Sequence, residues 1–207
     1  LACFAVVAGL ARLGYGRFIA RQLIVASIAC FAFALIDLAT FQIGQAQLLD
    51  IIRNANYTMH TAETIHGFKR IVGPFPEASA YGAVALAYFA FTLMLWLERV
   101  QSRMAGLATL LIGPTIVLCT STTAYVAGVF LVCMFVLFCL KRLIGGSATT
   151  PHVTFLAITL FFIPCAITAL SLVPDAWNSI AGLLTTTVSD KLQSQSGEER
   201  TAWNTLA

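Results

Sequence analysis

Residues 105–140 read AGLATLLIGPTIVLCTSTTAYVAGVFLVCMFVLFCL, 36 positions without one charged side chain. As a single helix this run would be about 54 Å long at 1.5 Å per residue, nearly twice the hydrocarbon thickness of a bilayer. It must therefore turn. The cluster Thr120, Ser121, Thr122 and Thr123 is the natural place, because hydroxyls can satisfy helix-end amides that lipid would leave unpaired. Two spans follow, at 105–119 and 122–140. Working outward, the apolar stretches 1–11 (truncated), 22–41, 79–97 and 153–173 read as further spans. The expected fold is all-α, a polytopic transmembrane helix bundle of about six spans in one domain over 1–207. Both ends look cut, so the chain is read as a fragment of a longer one.

Composition agrees with this reading. Of 207 residues, 59% are hydrophobic and 10% charged, with a mean hydropathy of +0.87. An ordinary soluble domain carries roughly 25% charged residues. The net charge of +3 is small and its basic residues are scattered through loops, which argues against nucleic-acid binding. Six cysteines (Cys3, Cys30, Cys119, Cys133, Cys139, Cys165) fall in apolar stretches without C-x-x-C spacing. They read as small packing residues rather than a disulfide framework or a zinc site.

Alternate loops differ in charge. Arg12, Arg17, Arg21, Arg99, Arg103, Lys141 and Arg142 lie in short loops on one side. Arg53, Lys69, Arg70, Lys191 and Arg200 lie on the other, in two longer segments, 42–78 and 174–207, that also hold seven carboxylates. The short basic loops should be cytoplasmic and the long segments outside, in a bacterial reading the periplasm.

The first outer segment ends in FKRIVGPFPEAS, residues 68–79, just before a span. Ser79 can cap that helix, and its positive end together with Arg70 would make an anion site at the lipid surface, suited to a phosphate on a lipid carrier. The alternative is that Lys69 and Arg70 anchor a loop at headgroups. In the second segment Asp175 reads as an N-cap. Trp177, Ile180, Leu184 and Val188 then recur at the spacing of an interfacial helix. Ser196 and Glu199 read as a capping box for a following helix that would carry Arg200 and Trp203. Arg200 is either balanced by Glu198 and Glu199 or held for a ligand. His60, Glu63 and His66 do not match a metalloprotease pattern and read as solvated loop residues, and no metal is expected. His152 reads as an interface residue. Asp37 is the one acid inside a span, either functional or reaching headgroup water. Pro114 and Pro164 are expected to kink their helices, and Gly106, Gly113 and Gly128 to permit close helix contacts.

Three of these stretches, in order, resemble the O-antigen ligase and polymerase family of bacterial envelope enzymes. They are RIVGPFPEAS (70–79) at an outer loop-to-helix junction, CTSTTAY (119–125) two spans later, and SQSGEERTAW (194–203) in the next outer loop. Ala78 departs from a common Pro and Ala124 from a common Gly, and the chain stops before the Gly-rich turn and His-containing stretch of ligase members. The resemblance implies metal-independent, cofactor-free, inverting glycosyl transfer at the outer face of the bacterial inner membrane. The donor would be an undecaprenyl-pyrophosphate-linked glycan, and the acceptor a sugar hydroxyl of another glycan or of lipid A core. It carries Arg70 and Arg200 over as the groups that stabilise the leaving phosphate. Glu77 would orient an arginine or accept the acceptor proton, or else pair with Arg70 structurally. Lys69, Ser79 and Trp203 complete the expected substrate site. The rival readings are a transporter or lipid-linked glycan flippase, which predicts polar residues along the middle of several helices, and a non-catalytic membrane subunit.

Overall fold

The computed structural model describes residues 14–53, 64–65, 68–165 and 168. The fold is helical. Helix α1 spans Gly16–Gln42, α2 Ala78–Leu97, α3 Ser102–Leu118, α4 Thr122–Ile144 and α5 Thr150–Ala157, which runs on through a π-helical turn at Ile158–Phe162. A 3-10 turn, Ala46–Ile51, follows α1. A two-residue antiparallel ladder pairs β1 (Thr64–Ile65) with β2 (Phe68–Lys69). The expected spans 1–11 and the end of 153–173 lie outside the described residues, as do Cys3, His60, Glu63, His66 and the whole segment 174–207.

This is a membrane protein. Helices α1, α2 and α4 are long and apolar enough to cross a bilayer, while α3 and the helical stretch Thr150–Cys165 are apolar but shorter. Their outward faces carry Leu110, Val126, Val129, Phe130, Leu137 and Phe161, all more than half exposed. Such a continuous apolar surface is sustainable in lipid and not in water.

The long uncharged run breaks where its hydroxyls cluster. Helix α3 stops at Leu118, and Thr120 takes a left-handed conformation with φ of 45°. Ser121 then caps α4, its side chain accepting from the Ala124 amide. Pro114 sits inside α3, and the helix continues past it by one turn. Helix α2 packs most extensively on α3, α1 lies against both, and α5 packs on α4. Small residues make this possible. Gly106 lies against Trp96, Gly113 against Phe89 and Gly128 against Leu86, as the sequence suggested. The tightest approach is at Gly82, where an added Cβ would stand 2.7 Å from the Ala124 methyl. Cys30, Ala34, Ile71, Tyr81, Ala85, Ile112, Cys119 and Ala124 form the core at this end, and Leu93, Leu97, Cys139, Phe155 and Leu156 form another at the opposite end.

The helix order places the starts of α1, α3 and α5 with the ends of α2 and α4. Gln101 donates to the Arg17 carbonyl at 3.1 Å, Arg142 to Glu98 at 2.6 Å and Arg99 to the Thr150 hydroxyl at 3.0 Å, tying these termini together. Arg17, Arg21, Arg99, Arg103, Lys141 and Arg142 thus gather at one end with Glu98. His152 belongs to the same end, where it caps the start of α5. Its Nδ1 lies 2.7 Å from the Thr149 hydroxyl and accepts from the Thr149 amide, and its ring is buried against Phe138.

Candidate functional site

The opposite end holds the RIVGPFPEAS stretch, and its shape follows from where its backbone can bond. Lys69 closes the short ladder, opposite Thr64. Gly73 then adopts φ of +58°, a conformation open to glycine at little cost, with the Tyr81 ring 3.0 Å from where a Cβ would be. After Pro74, Phe75 and Pro76, Glu77 is extended (φ −138°, ψ 149°) and occupies the N-cap position of α2. Ser79 was expected there. It lies instead inside the first turn, because the extended backbone at Glu77 lets the helix start at Ala78, and its hydroxyl donates to Glu77 Oε2 at 2.7 Å.

One buried carboxylate organises this segment. Asp37, on the last turns of α1, is fully buried and does not reach headgroup water. Its Oδ1 lies 2.6 Å from Arg53 Nη2 and 2.6 Å from Lys69 Nζ, and its Oδ2 accepts from the amides of Val72 at 2.9 Å and Gly73 at 3.1 Å. The Lys69 contact is a close ion pair without hydrogen-bond alignment, and the ammonium also sits over the Phe41 ring at 5.5 Å. Burial pushes the Lys69 ammonium below its ordinary value, while the Asp37 carboxylate pulls it back up. Arg53 reaches further. Its Nε and Nη2 both donate to the Gly73 carbonyl, at 3.0 and 2.8 Å, and its Nη1 to Asp50 at 2.9 Å. Every strong acceptor in this pocket is met, as burial of charge requires.

Arg70 points the other way. It is half-buried, and its Nε donates to the Thr120 hydroxyl at 3.0 Å, 50 residues on in the chain. Next to it the Ile71 amide donates to the Leu118 carbonyl at 3.2 Å. Two further bonds brace the same turn. The Tyr81 hydroxyl donates to Thr115 Oγ1 at 2.7 Å, and the Tyr125 hydroxyl to the Val117 carbonyl at 2.6 Å. RIVGPFPEAS and CTSTTAY therefore meet at one helix end. Beside them, Thr122, Thr123, Val126, Ala127 and Phe130 lie along the outer face of α4 as a shallow, open surface.

Of the expected site residues, Arg70 bonds the α3–α4 turn, while the half-buried Glu77 and Ser79 bond each other at the start of α2. Lys69 adjoins them in sequence but is turned inward and committed to Asp37, so in this arrangement its charge serves the fold. Arg200 and Trp203 lie outside the described residues. Sequence reading gave Arg53 no role beyond its charge. A lone arginine in a polar loop carries no local pattern, and its only clue was the presence of an acid inside the preceding span. Among the described residues no cluster of three His, Cys, Asp or Glu could hold a metal ion. No family model, curated protein or solved structure matches the chain.

Proposed function

We propose that this chain is part of a polytopic enzyme of about six spans in the bacterial inner membrane, which transfers a glycan at the periplasmic face. The donor is an undecaprenyl-pyrophosphate-linked glycan and the acceptor a sugar hydroxyl of another glycan or of lipid A core. In the reaction the bond between the sugar anomeric carbon and the phosphate oxygen breaks, and the acceptor oxygen bonds to that carbon as it loses its proton. Undecaprenyl pyrophosphate leaves. Negative charge grows on the leaving phosphate, and a guanidinium can meet it with two parallel N–H donors where little water competes.

The observation that supports this reading is the junction of Arg70 with Thr120, because it joins the two described stretches that resemble the ligase and polymerase family. In the same stretch as Arg70, Glu77 with Ser79 supplies a carboxylate and a hydroxyl, and the exposed face of α4 along Val126 and Phe130 offers apolar surface for a polyisoprenoid chain. Arg200 and Trp203 would complete the site from the second outer segment. The gathering of Arg17, Arg21, Arg99, Arg103, Lys141 and Arg142 at the far end fits a cytoplasmic assignment of that end. A transporter asks for ionisable groups along the middle of several helices. Among the described residues, the mid-helix side-chain contact between helices is a hydroxyl pair, Thr92 with Thr109.

The test is replacement of Arg70 and, separately, Arg200 by Ala in the full-length protein. Loss of surface glycan polymerisation or attachment with unchanged membrane insertion is expected. Glycan of normal length and attachment in both variants would remove the assignment.

A further inference from the structure

We propose that Asp37 is a positioning residue for Arg70, an intramembrane latch that fixes the 69–73 segment so that the guanidinium is presented to the turn between α3 and α4. This rests on the glycosyl-transfer reading for its consequence in activity, but not for its geometry.

The segment is held from two sides in alternation. Lys69, Val72 and Gly73 all bond Asp37 on α1, while Arg70 and Ile71, between them, bond Thr120 and Leu118 at the end of α3. With positions 69, 72 and 73 held on the α1 side, Arg70 and Ile71 are left to bond the end of α3. Both oxygens of the carboxylate are already engaged, Oδ1 by two cations and Oδ2 by two amides. Arg70 is therefore not drawn onto the acid two helices away from its turn. Arg53 closes the latch from behind, because its fork on the Gly73 carbonyl fixes the glycine turn while its remaining nitrogen is tied to Asp50. A buried carboxylate held by two cations and two amides from two separate stretches of chain specifies one loop conformation. Apolar packing alone would allow several.

The experiment uses the full-length protein in cells lacking their own copy. A Val72→Cys reporter, fully buried in the latched state, is challenged with a membrane-impermeant maleimide in spheroplasts and in inverted vesicles, so that sidedness is read independently. Membranes supplied with an undecaprenyl-pyrophosphate-linked glycan give kcat and the KM for each substrate. Asp37→Asn and Asp37→Ala are expected to open position 72 to labelling at least fivefold. They should also lower kcat at least tenfold and raise the donor KM at least threefold, with the acceptor KM unchanged. A general packing lesion would reduce the amount of active enzyme without moving either KM. If neither Asp37 variant accumulates, Lys69→Met, which keeps the Asp37–Arg53 pair, takes their place, with partial labelling and a raised donor KM expected. Continued protection of position 72 overturns the latch. So does an opened segment with unchanged donor KM in a protein that Arg70→Ala inactivates. Should Arg70→Ala itself leave glycan transfer intact, the functional reading fails, and the labelling alone decides whether Asp37 holds the segment.

Discussion

Arg53 and Arg142 both pair with carboxylates at close range, 2.9 Å or less, yet they stand at opposite ends of the energetic scale. Arg53 is buried with Asp37, and removing it leaves a carboxylate in a pocket with little water and one fewer cation. Arg53→Met should lower stability by about 3–5 kcal/mol, the cost of breaking a buried pair from one side. The Arg142–Glu98 pair keeps about a third of each side chain exposed. Arg142→Met should cost about 0.2–1 kcal/mol, as for exposed pairs. Denaturant unfolding in detergent micelles measures both, and equal losses would show that the Asp37 pocket is better hydrated than its burial implies. Neither ranking could be read from the residues in sequence. Arg53 lies in a polar loop and Arg142 at a helix end, and the burial that separates them is set by which acids they meet across the fold.

At the scale of elements, the boundary between α3 and α4 was legible because its chemistry is local. Four hydroxyl residues interrupt 36 uncharged positions, and one of them caps the next helix. What the sequence did not disclose is that Thr120 carries two duties. Its φ of 45° is costly for a β-branched residue, roughly 1–2 kcal/mol, and its hydroxyl receives Arg70. Thr120→Gly should therefore hold stability within about 1 kcal/mol, since relief of the left-handed strain offsets glycine's greater chain entropy. Glycan transfer should nevertheless fall, because the hydroxyl that receives Arg70 Nε is gone. Loss of folding rather than of transfer, read by thermal unfolding beside a glycan gel, would contradict this division of roles. The contact of α2 with α4 is closest at Gly82. Gly82→Leu would push against the Ala124 methyl and cost about 1–3 kcal/mol, visible as a lower Tm, whereas Gly128, with 3.6 Å to Leu86, should accept Ala with little change.

Across the whole molecule, the alternation of helices sends the basic turns to one end and the Asp37–Arg70 region to the other. Single cysteines replacing Gln45 and Ser147, which lie at these two ends, should be labelled by an impermeant thiol reagent from opposite sides of the membrane. Labelling from the same side would overturn the sidedness proposed from loop charge. By itself the sequence determined the helical class, the membrane setting and the place of the break in the long apolar run. Each of these follows from hydropathy, length and turn chemistry within about twenty neighbouring residues. Only the tertiary structure decided that Lys69 faces inward while Arg70 faces the α3–α4 turn, that Arg53 belongs with Asp37, and that Gly82 is the tightest helix contact. Those outcomes depend on groups 16 to 50 residues apart competing for the same buried acceptors and the same space. That competition is resolved only once the helices have packed and water has been excluded from between them.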